Sequence, residues 1–278
     1  MTDFKKKKQY GQNFLTNVAI PRRIAAESGI TKDDCVIEIG PGFGILTREL
    51  SAIAHKVIAI EIDTELMEIL PEKLADCENV KVINEDVLKV DLKKLIDEEF
   101  EGRNVCVCAN LPYYITTDIV MSLLEGEHKF KTITVMVQKE VAERFCSKAG
   151  TDGYGAITAS ISYYASVKRL FTVKAGSFDP KPKVDSAVIR FDLYDTPPVN
   201  PKSKELLFKV IRAAFSQRRK TLLNSLFSTF GNQFSKELLT EIITSSGLSE
   251  TVRGETLDIK QFSTIADLIY EQTKKEPS

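Results

Sequence analysis

The stretch VIEIGPGFGILTREL, residues 36–50, determines how the rest of the chain is interpreted. Its opening residues VIEI are mostly β-branched and predict a strand, and GILTREL has the three-to-four-residue apolar spacing of a helix. Between them, Gly40, Gly42 and Gly44 allow the backbone to approach a ligand closely, and the amino terminus of a helix favours anionic groups. The stretch therefore predicts a strand, a glycine loop and a helix in an α/β sheet.

The regions around this stretch alternate short apolar runs with helical patterns. The predicted strands are 35–40, 56–61, 80–83, 104–109 and 132–137. Strands that are apolar almost throughout, with helices between them, are typical of a parallel sheet covered on both faces. Two further predicted strands, 159–173 and 186–193, have no helix between them, so we expect an antiparallel pair at a sheet edge.

The pattern changes at YDTPPVNPKS (194–203), a segment rich in proline and polar residues that predicts a linker. Every segment beyond it has a helical pattern, and short helices with short connections fit a small bundle. The sequence thus predicts two domains, an α/β domain over residues 1–195 and an all-helical domain over residues 203–278.

Polar residues or glycine close four successive predicted strands. These residues are Gly40, Glu61, Asp86 and Asn110. Because the carboxyl ends of parallel strands meet at one edge of a sheet, we expect a nucleoside-type ligand there, with Glu61 on the ribose hydroxyls. A nicotinamide dinucleotide is disfavoured, because the spacing is G-x-G-x-G and Ile45 stands where the dinucleotide fingerprint requires glycine.

The segment NLPYYITT (110–117) directly follows the predicted strand 104–109 and contains an amide side chain, a proline and two adjacent tyrosines. Pro112 fixes its own φ and restricts the preceding residue, so the segment is stiff. Tyr113 is predicted to stack on a flat ligand, whereas Tyr114 is explained as well by core packing. A threonine of ITT is expected to cap the next helix.

Composition and charge exclude several classes of protein. The chain has 278 residues, 43% of them hydrophobic and 28% charged, with a net charge of -1, which excludes a globally basic nucleic-acid binder. No apolar run approaches transmembrane length, and the amino terminus lacks a signal-peptide core, so we expect a cytoplasmic protein without a membrane association. Five cysteines without a C-x-x-C pair give little support to a metal site, and buried reduced thiols are expected.

Several motifs together resemble a known family. EIGPGFG (38–44) resembles the cofactor loop of Rossmann-like S-adenosylmethionine-dependent methyltransferases. Four segments in order resemble the small-subunit ribosomal RNA adenine N6,N6-dimethyltransferases: GQNFL (11–15), NLPYYI (110–115), FDPKPKVDSAV (178–188) and AFSQRRKTLLNSL (214–226). The resemblance implies a Rossmann-like fold, S-adenosylmethionine as cofactor and dimethylation of two adjacent adenines near the 3′ end of small-subunit RNA. It also implies a role in ribosome biogenesis, on RNA or on a pre-small-subunit particle; nothing in the sequence requires more than a monomer.

The resemblance assigns roles to particular residues. The residues implied to bind the cofactor are Gln12, Asn13, Leu15, Gly40, Gly42, Gly44, Glu61, Asp86, Val87 and Asn110. The residues implied to act on the base are Asn110, Leu111, Pro112, Tyr113 and Phe178. In this interpretation the Asn110 side-chain carbonyl and the Leu111 backbone carbonyl accept hydrogen bonds from the adenine amine. Tyr113 and Phe178 hold the base between two rings.

A run of thirty residues, 206–235, has five basic side chains and no acidic one. Such a run produces a local positive field, and we expect Arg218, Arg219 and Lys220 to contact RNA phosphates. A solvated helix end is the alternative interpretation. The lysines at 5–8 are explained nearly as well by a solubilising tail as by an arm that orders on RNA.

Other functions remain open at the level of the sequence. An adenine methyltransferase of large-subunit RNA shares the amide–x–proline–aromatic motif, and DNA or protein amine methyltransferases are less favoured because of the basic helical segment. A ribosome assembly factor without catalysis would keep the fold. A nicotinamide oxidoreductase is the most distant alternative.

Overall fold

The computed structural model describes residues 13–217 and 219–275. Two predicted site residues, Gln12 and Arg218, lie outside the described residues, as does the lysine run at 5–8.

The strands of the described residues form a main sheet and a short two-stranded sheet. Their bounds are β1 (Phe14–Leu15), β2 (Cys35–Ile39), β3 (Lys56–Glu61), β4 (Val80–Asn84), β5 (Val105–Asn110), β6 (Thr132–Gln138), β7 (Ala165–Val173), β8 (Phe178–Asp179) and β9 (Ser186–Leu193). The main sheet has the order β4-β3-β2-β5-β6-β9-β7. Strands β2 to β6 are parallel, and β9 runs antiparallel to β6. The predicted mostly parallel sheet with an antiparallel edge is therefore confirmed.

The strand order places the ligand-binding edge. From β2 the chain extends to β3 on one side and returns to β5 on the other, so the carboxyl end of β2 lies at the point where the order reverses. Open α/β sheets bind ligands in the crevice at such a point. Strand β2 is buried along its whole length. The hydrophobic effect holds the strand in the sheet, and this fixes the point at which the following loop begins.

Helices connect the strands and continue beyond β9. Their bounds are α1 (Ala19–Glu27), α2 (Ile45–Ser51), α3 (Thr64–Lys73), α4 (Leu92–Glu99), α5 (Thr116–Glu125), α6 (Lys139–Phe145), α7 (Ala156–Tyr164), α8 (Lys204–Ala214), α9 (Leu222–Phe230), α10 (Lys236–Ser245) and α11 (Ile259–Lys275). The helical pattern predicted after the linker is confirmed in α8 to α11. The sequence pattern did not predict α1 or α6.

The predicted strand over residues 159–173 is wrong in its first half. Helix α7 runs to Tyr164, and β7 begins only at Ala165. The helix buries residues around most of its circumference, among them Ala159, Ile161 and Tyr163. Because Thr158 and Ser160 are buried as well, burial in this helix does not follow an apolar stripe opposite a polar face, so the period that identifies a helix is absent from this segment.

The chain divides into two compact units. One contains the described residues up to Ala142 and the segment Val167–Leu193; the other contains Glu143–Ser166 and the described residues from Tyr194. The second unit has its own apolar core, which includes Leu207, Leu226 and Phe262. The segment Glu143–Ser166, which ends in the first residues of β7, therefore belongs to the same unit as the helices from Tyr194 onward. The sequence had placed this segment in the α/β domain, with one linear boundary at 195–203. The roles predicted for the two domains stay predictions.

Two sequence-based expectations concern the chain as a whole. No disulfide joins any of the five cysteines, all of which lie in the described ranges; Cys35, Cys106 and Cys108 are buried, but Cys77 and Cys146 are only partly buried. Within the described ranges, no helix combines the length and the apolar character that crossing a bilayer requires.

Candidate active site

The loop between β2 and α2 has a backbone that glycine makes possible. Gly40, Gly42 and Gly44 all have positive φ, at 66°, 59° and 76°, in the left-handed region that other residues rarely adopt. The Gly40 amide donates to the Ile60 carbonyl over 2.9 Å, which ties the loop to β3. A Cβ on Gly42 would meet the Phe14 ring at 3.2 Å, so this position is restricted both by conformation and by space.

Glu61 at the end of β3 is tied to the same loop. Its Oε2 accepts from the Gly42 amide over 3.3 Å and its Oε1 from the Asp63 amide over 2.9 Å. Burial raises the pKa of Glu61, and these amide donors partly offset that effect. The predicted ribose-binding acid therefore also fixes the glycine loop against the neighbouring strand.

Glu38 is a buried acid in the same region, on β2. Burial raises its pKa to about 8; the nearby Thr47 hydroxyl lowers it and the charge of Glu61 raises it further. Its Oε2 has no hydrogen-bond partner among the described residues. An unpaired buried carboxyl oxygen is costly, and a cationic group of a ligand would satisfy it.

Asn110 closes β5 with a defined side-chain orientation. Its Nδ2 donates to the Asn13 carbonyl over 3.2 Å, which leaves Oδ1 as the acceptor of this amide. The next peptide is fixed because the Leu111 amide donates to the Met136 carbonyl over 3.2 Å. These contacts orient the Asn110 side chain and hold the backbone just before the Leu111 carbonyl, the other group that is predicted to meet an amine.

The turn after Asn110 differs from the prediction in one detail. The residue that caps α5 is Ile115, which makes no side-chain cap. The Thr116 hydroxyl instead donates to the Pro112 carbonyl over 3.0 Å. The predicted threonine cap is therefore wrong, but the same hydroxyl still stiffens the turn.

The two adjacent tyrosines have different environments. Tyr113 is half-buried, and its hydroxyl lies 2.7 Å from the Ser186 hydroxyl. Burial raises its pKa and the Ser186 contact lowers it. Tyr114 is 57% exposed, so the core-packing interpretation of Tyr114 is wrong.

Phe178 does not lie in the same lining as Tyr113. It forms β8, which pairs antiparallel with β1 and places Phe178 opposite Leu15. Its side chain is only 4% exposed and packs in the apolar core beside Leu15. The role of Phe178 as a second wall for a base stays a prediction.

A single pocket at the carboxyl edge of the sheet brings most of the predicted residues together. Its lining contains Asn13, Leu15, Gly40, Gly42, Glu61, Asp86, Val87, Asn110, Leu111, Pro112 and Tyr113. Gly44 lies outside the lining, where a Cβ would meet Leu70 and Leu74. The sequence pattern did not assign the lining residues Phe14, Glu38, Phe43, Ile62 and Tyr114 to the site. Each of them adjoins a predicted residue or lies within a quoted motif, and this adjacency was the available signal.

The charge of this lining is one-sided. It includes the carboxyl groups of Glu38, Glu61, Glu85 and Asp86, and none of the described residues that line it is a lysine, arginine or histidine. A pyrophosphate would find no counter-charge in such a lining, whereas a cationic ligand would. In the described ranges, no group of three or more potential ligand side chains is arranged to bind a metal.

The predicted RNA-contacting residues lie in the helical unit. Arg219 and Lys220 are exposed and lie between α8 and α9. On α8, Arg212 is exposed too, while the Lys209 ammonium lies 5.0 Å from the centre of the Phe230 ring. These positions leave basic groups accessible to a polyanion.

The parallel sheet with its antiparallel edge, the G-x-G-x-G loop and the acidic pocket define a Rossmann-like methyltransferase. The family model described as ribosomal RNA adenine dimethylase matches residues 3–269. The chain belongs to the ribosomal RNA adenine dimethylase family.

Curated relatives and solved structures agree with this membership. The chain is 47% identical over 265 residues to ribosomal RNA small subunit methyltransferase A of Alkaliphilus oremlandii, covering 95% of this chain and 92% of the relative. The protein of the same name from Caldanaerobacter subterraneus is 45% identical, with 96% and 98% covered. The structure of a dimethyladenosine transferase from Plasmodium falciparum matches with a TM-score of 0.77 and 27% identity, covering 94% of this chain and 98% of that one. A 23S rRNA methyltransferase, ErmE, matches with a TM-score of 0.72 and 25% identity over 93% and 100% of the two chains.

Proposed function

We propose that this protein transfers methyl groups from S-adenosylmethionine to the N6 amines of two adjacent adenines near the 3′ end of small-subunit ribosomal RNA. The observation that carries the proposal is the pocket itself. In one lining it combines an oriented amide acceptor, Asn110, with an aromatic ring, Tyr113, and with carboxylates that have no basic counterpart. The relatives named small subunit methyltransferase A support the choice of the small subunit. The activity belongs in the cytoplasm, where small subunits are assembled.

The residues present fit this cofactor. S-adenosylmethionine, when bound, supplies a methyl group on a positively charged sulfonium and also carries an ammonium group. The unpaired Glu38 Oε2 and the acidic lining suit such a cation. The Phe14 ring leaves little room for a side chain at position 42. Glycine therefore suits this position, where a ligand would meet the backbone of the loop. Glu61 is the candidate for the ribose hydroxyls and Asp86 for the adenine.

The chain's own groups account for activation of the amine. An adenine amine is a poor nucleophile because its lone pair is delocalised into the ring. The Asn110 Oδ1 and the Leu111 carbonyl would accept its two N–H hydrogens and localise that lone pair. The Asn13 carbonyl fixes the Asn110 amide, and the Met136 carbonyl holds the backbone next to the Leu111 acceptor, so the amine would be oriented before reaction. No strong base is needed, since a methylated ammonium is acidic and releases its proton afterwards.

A second candidate activity is methylation of adenine in large-subunit RNA, which the structural match to a 23S rRNA methyltransferase favours. Labelled methyl transfer to small-subunit particles and, separately, to large-subunit RNA distinguishes the two. Nucleoside analysis should then detect N6,N6-dimethyladenosine in small-subunit RNA. Its appearance only in large-subunit RNA would support the second candidate, and its absence from both would favour an assembly factor without catalysis.

A further inference from the structure

The hydroxyl of Tyr113 is bonded to a residue far along the chain. Its partner, Ser186, is separated from it by 73 positions, and the two oxygens lie 2.7 Å apart. Tyr113 lines the pocket with part of its surface, whereas Ser186 is fully buried at 0% exposure. Burial raises the pKa of Tyr113, so the phenol stays protonated and keeps its hydrogen bond at neutral pH.

Ser186 is itself held by a rigid framework. It is the first residue of β9 and lies opposite Gln138 on β6. The preceding residue, Asp185, accepts from the Ala175 amide over 3.0 Å and from the Lys174 ammonium over 2.9 Å. Its backbone carbonyl accepts from the Lys139 amide over 3.0 Å. The Ser186 hydroxyl is therefore a fixed point, not a mobile surface group.

A tyrosine anchored at both ends has a defined ring plane. The backbone of Tyr113 follows the stiff Asn110–Pro112 turn, and its hydroxyl is bonded to a strand on the other side of β6. Stacking on a base is worth about 1–3 kcal/mol, and it needs the ring parallel to the base. A ring whose torsions are fixed in advance loses less conformational freedom when a base binds.

We propose that Ser186 is a positioning residue for the target adenine. It acts through Tyr113, whose ring plane it sets, and so determines how the base presents its amine to Asn110. This inference rests on the proposed function, because it assumes that Tyr113 stacks on the base to be methylated. It assigns a task to the serine of FDPKPKVDSAV, a motif that the sequence connected with the site only through Phe178.

The test compares Ser186→Ala, Tyr113→Phe and the double variant. Each single change removes the same hydrogen bond, and Tyr113→Phe keeps the ring and so serves as the matched control for Ser186→Ala. Removal of one hydrogen bond predicts a decrease of about three- to tenfold in kcat/KM for small-subunit particles. The double variant should be no worse than the poorer single variant, because the same bond can be removed only once. The affinity for S-adenosylmethionine should not change.

A second measurement reports the ring directly. A short unpaired RNA with 2-aminopurine at the target position should lose fluorescence when it binds the wild-type protein, because the base stacks on Tyr113. The decrease should be smaller in Ser186→Ala and in Tyr113→Phe at saturating protein. A purely structural serine would lower the melting temperature without changing this quenching in molecules that remain folded.

The outcomes separate the inference from the proposed function. If the wild type forms N6,N6-dimethyladenosine but Ser186→Ala has normal kcat/KM and normal quenching, the inference is overturned and the proposed function stands. Additive losses in the double variant, or no quenching by the wild type, also overturn it. If the wild type transfers no methyl group, the proposed function fails and the inference fails with it.

Discussion

Asn110 has one half of its amide bonded within the protein and the other half available to a ligand. We expect Asn110→Ala to reduce methyl transfer by on the order of 100-fold or more, as when one preorganised hydrogen-bonding group is removed from a reacting site. RNA affinity should stay within about twofold, because phosphate contacts dominate it. Single-turnover methyl transfer and filter binding measure the two effects. Asn200→Ala, at an exposed position, is the matched control, and unchanged turnover in Asn110→Ala would remove this residue as the amine acceptor.

Glu38 makes stability depend on pH in an unusual direction. Its pKa is about 8 in the folded protein against an ordinary value of 4.5. Below pH 4.5 the group is protonated in both the folded and the unfolded state. Between pH 4.5 and about pH 8 only the unfolded state releases the proton, so the free energy of unfolding falls as the pH rises. Above about pH 8 both states are ionised, and the stability that the neutral Glu38 carboxyl provides at low pH is fully lost.

Glu38→Gln tests this sign, because glutamine resembles the neutral acid at every pH. We expect the wild type to lose stability relative to Glu38→Gln between pH 5 and pH 8, with the variant the more stable at the upper end. Urea unfolding without cofactor at a series of pH values measures the difference. A difference that is constant with pH would show that Glu38 is already ionised in the folded protein. Glu49→Gln, on α2 and only partly exposed, controls for removal of a carboxylate.

Tyr113 and Tyr114 are residues whose different environments cannot be predicted from the sequence alone. Both are aromatic and both follow Pro112, so local pattern alone does not distinguish them. The structure separates them by tertiary contacts: Tyr113 reaches Ser186 on β9, and Tyr114 is mostly exposed. Glu38 is a second example of a property that local pattern does not reveal. The motif EIGPGFG identifies the loop, but the lack of a hydrogen-bond partner for Glu38 Oε2 depends on the packing around β2.

At the scale of elements, the parallel strands and the helices between them followed from the sequence because each is buried or half-buried in a regular way. Helix α7 did not, because burial around most of its circumference removes the period that identifies a helix. The segment SISYYASV is also rich in residues with high strand propensity. Tertiary burial therefore overrode both local signals between residues 156 and 164.

The loop between β2 and α2 supplies a prediction at this scale. Gly42→Ala should lower the free energy of unfolding by about 1–2 kcal/mol, the cost of a left-handed conformation for alanine. Its new Cβ would also press on the Phe14 ring at 3.2 Å, so the affinity for S-adenosylmethionine should fall severalfold. Calorimetry of binding and urea unfolding measure the two effects.

Gly102→Ala is the matched control for this loop. Gly102 also has a positive φ, at 74°, but a Cβ there meets nothing within 4 Å, and it is not part of the pocket lining. We expect a similar loss of stability with unchanged cofactor affinity. Equal cofactor affinity in the two variants would contradict the idea that the Gly42–Phe14 contact shapes the pocket.

At the scale of the molecule, the division into two units is the feature that the linear sequence describes least well. Residues 143–166 join the helical unit through contacts across about a hundred residues. The Gly150 amide donates to the Glu255 carbonyl and the Tyr154 hydroxyl to the Leu257 carbonyl, each over 2.8 Å. Composition shifts mark a linker such as 194–203, but they do not reveal a segment that leaves one unit and packs in another.

The basic segment of the helical unit is the last testable feature, and it matters because the whole chain has a net charge of -1. Arg219 and Lys220 are exposed in a run of residues without acids. We expect the double variant Arg219→Ala, Lys220→Ala to bind small-subunit RNA more weakly than the wild type. The slope of log affinity against log salt should become shallower by about 1–2, because each phosphate that is no longer neutralised lowers the slope by roughly one. The variant with Lys148→Ala and Lys260→Ala removes two exposed lysines of the same unit and the same charge, and it should leave the slope nearly unchanged. Equal slopes for the two double variants would mean that net charge, and not this segment, attracts the RNA.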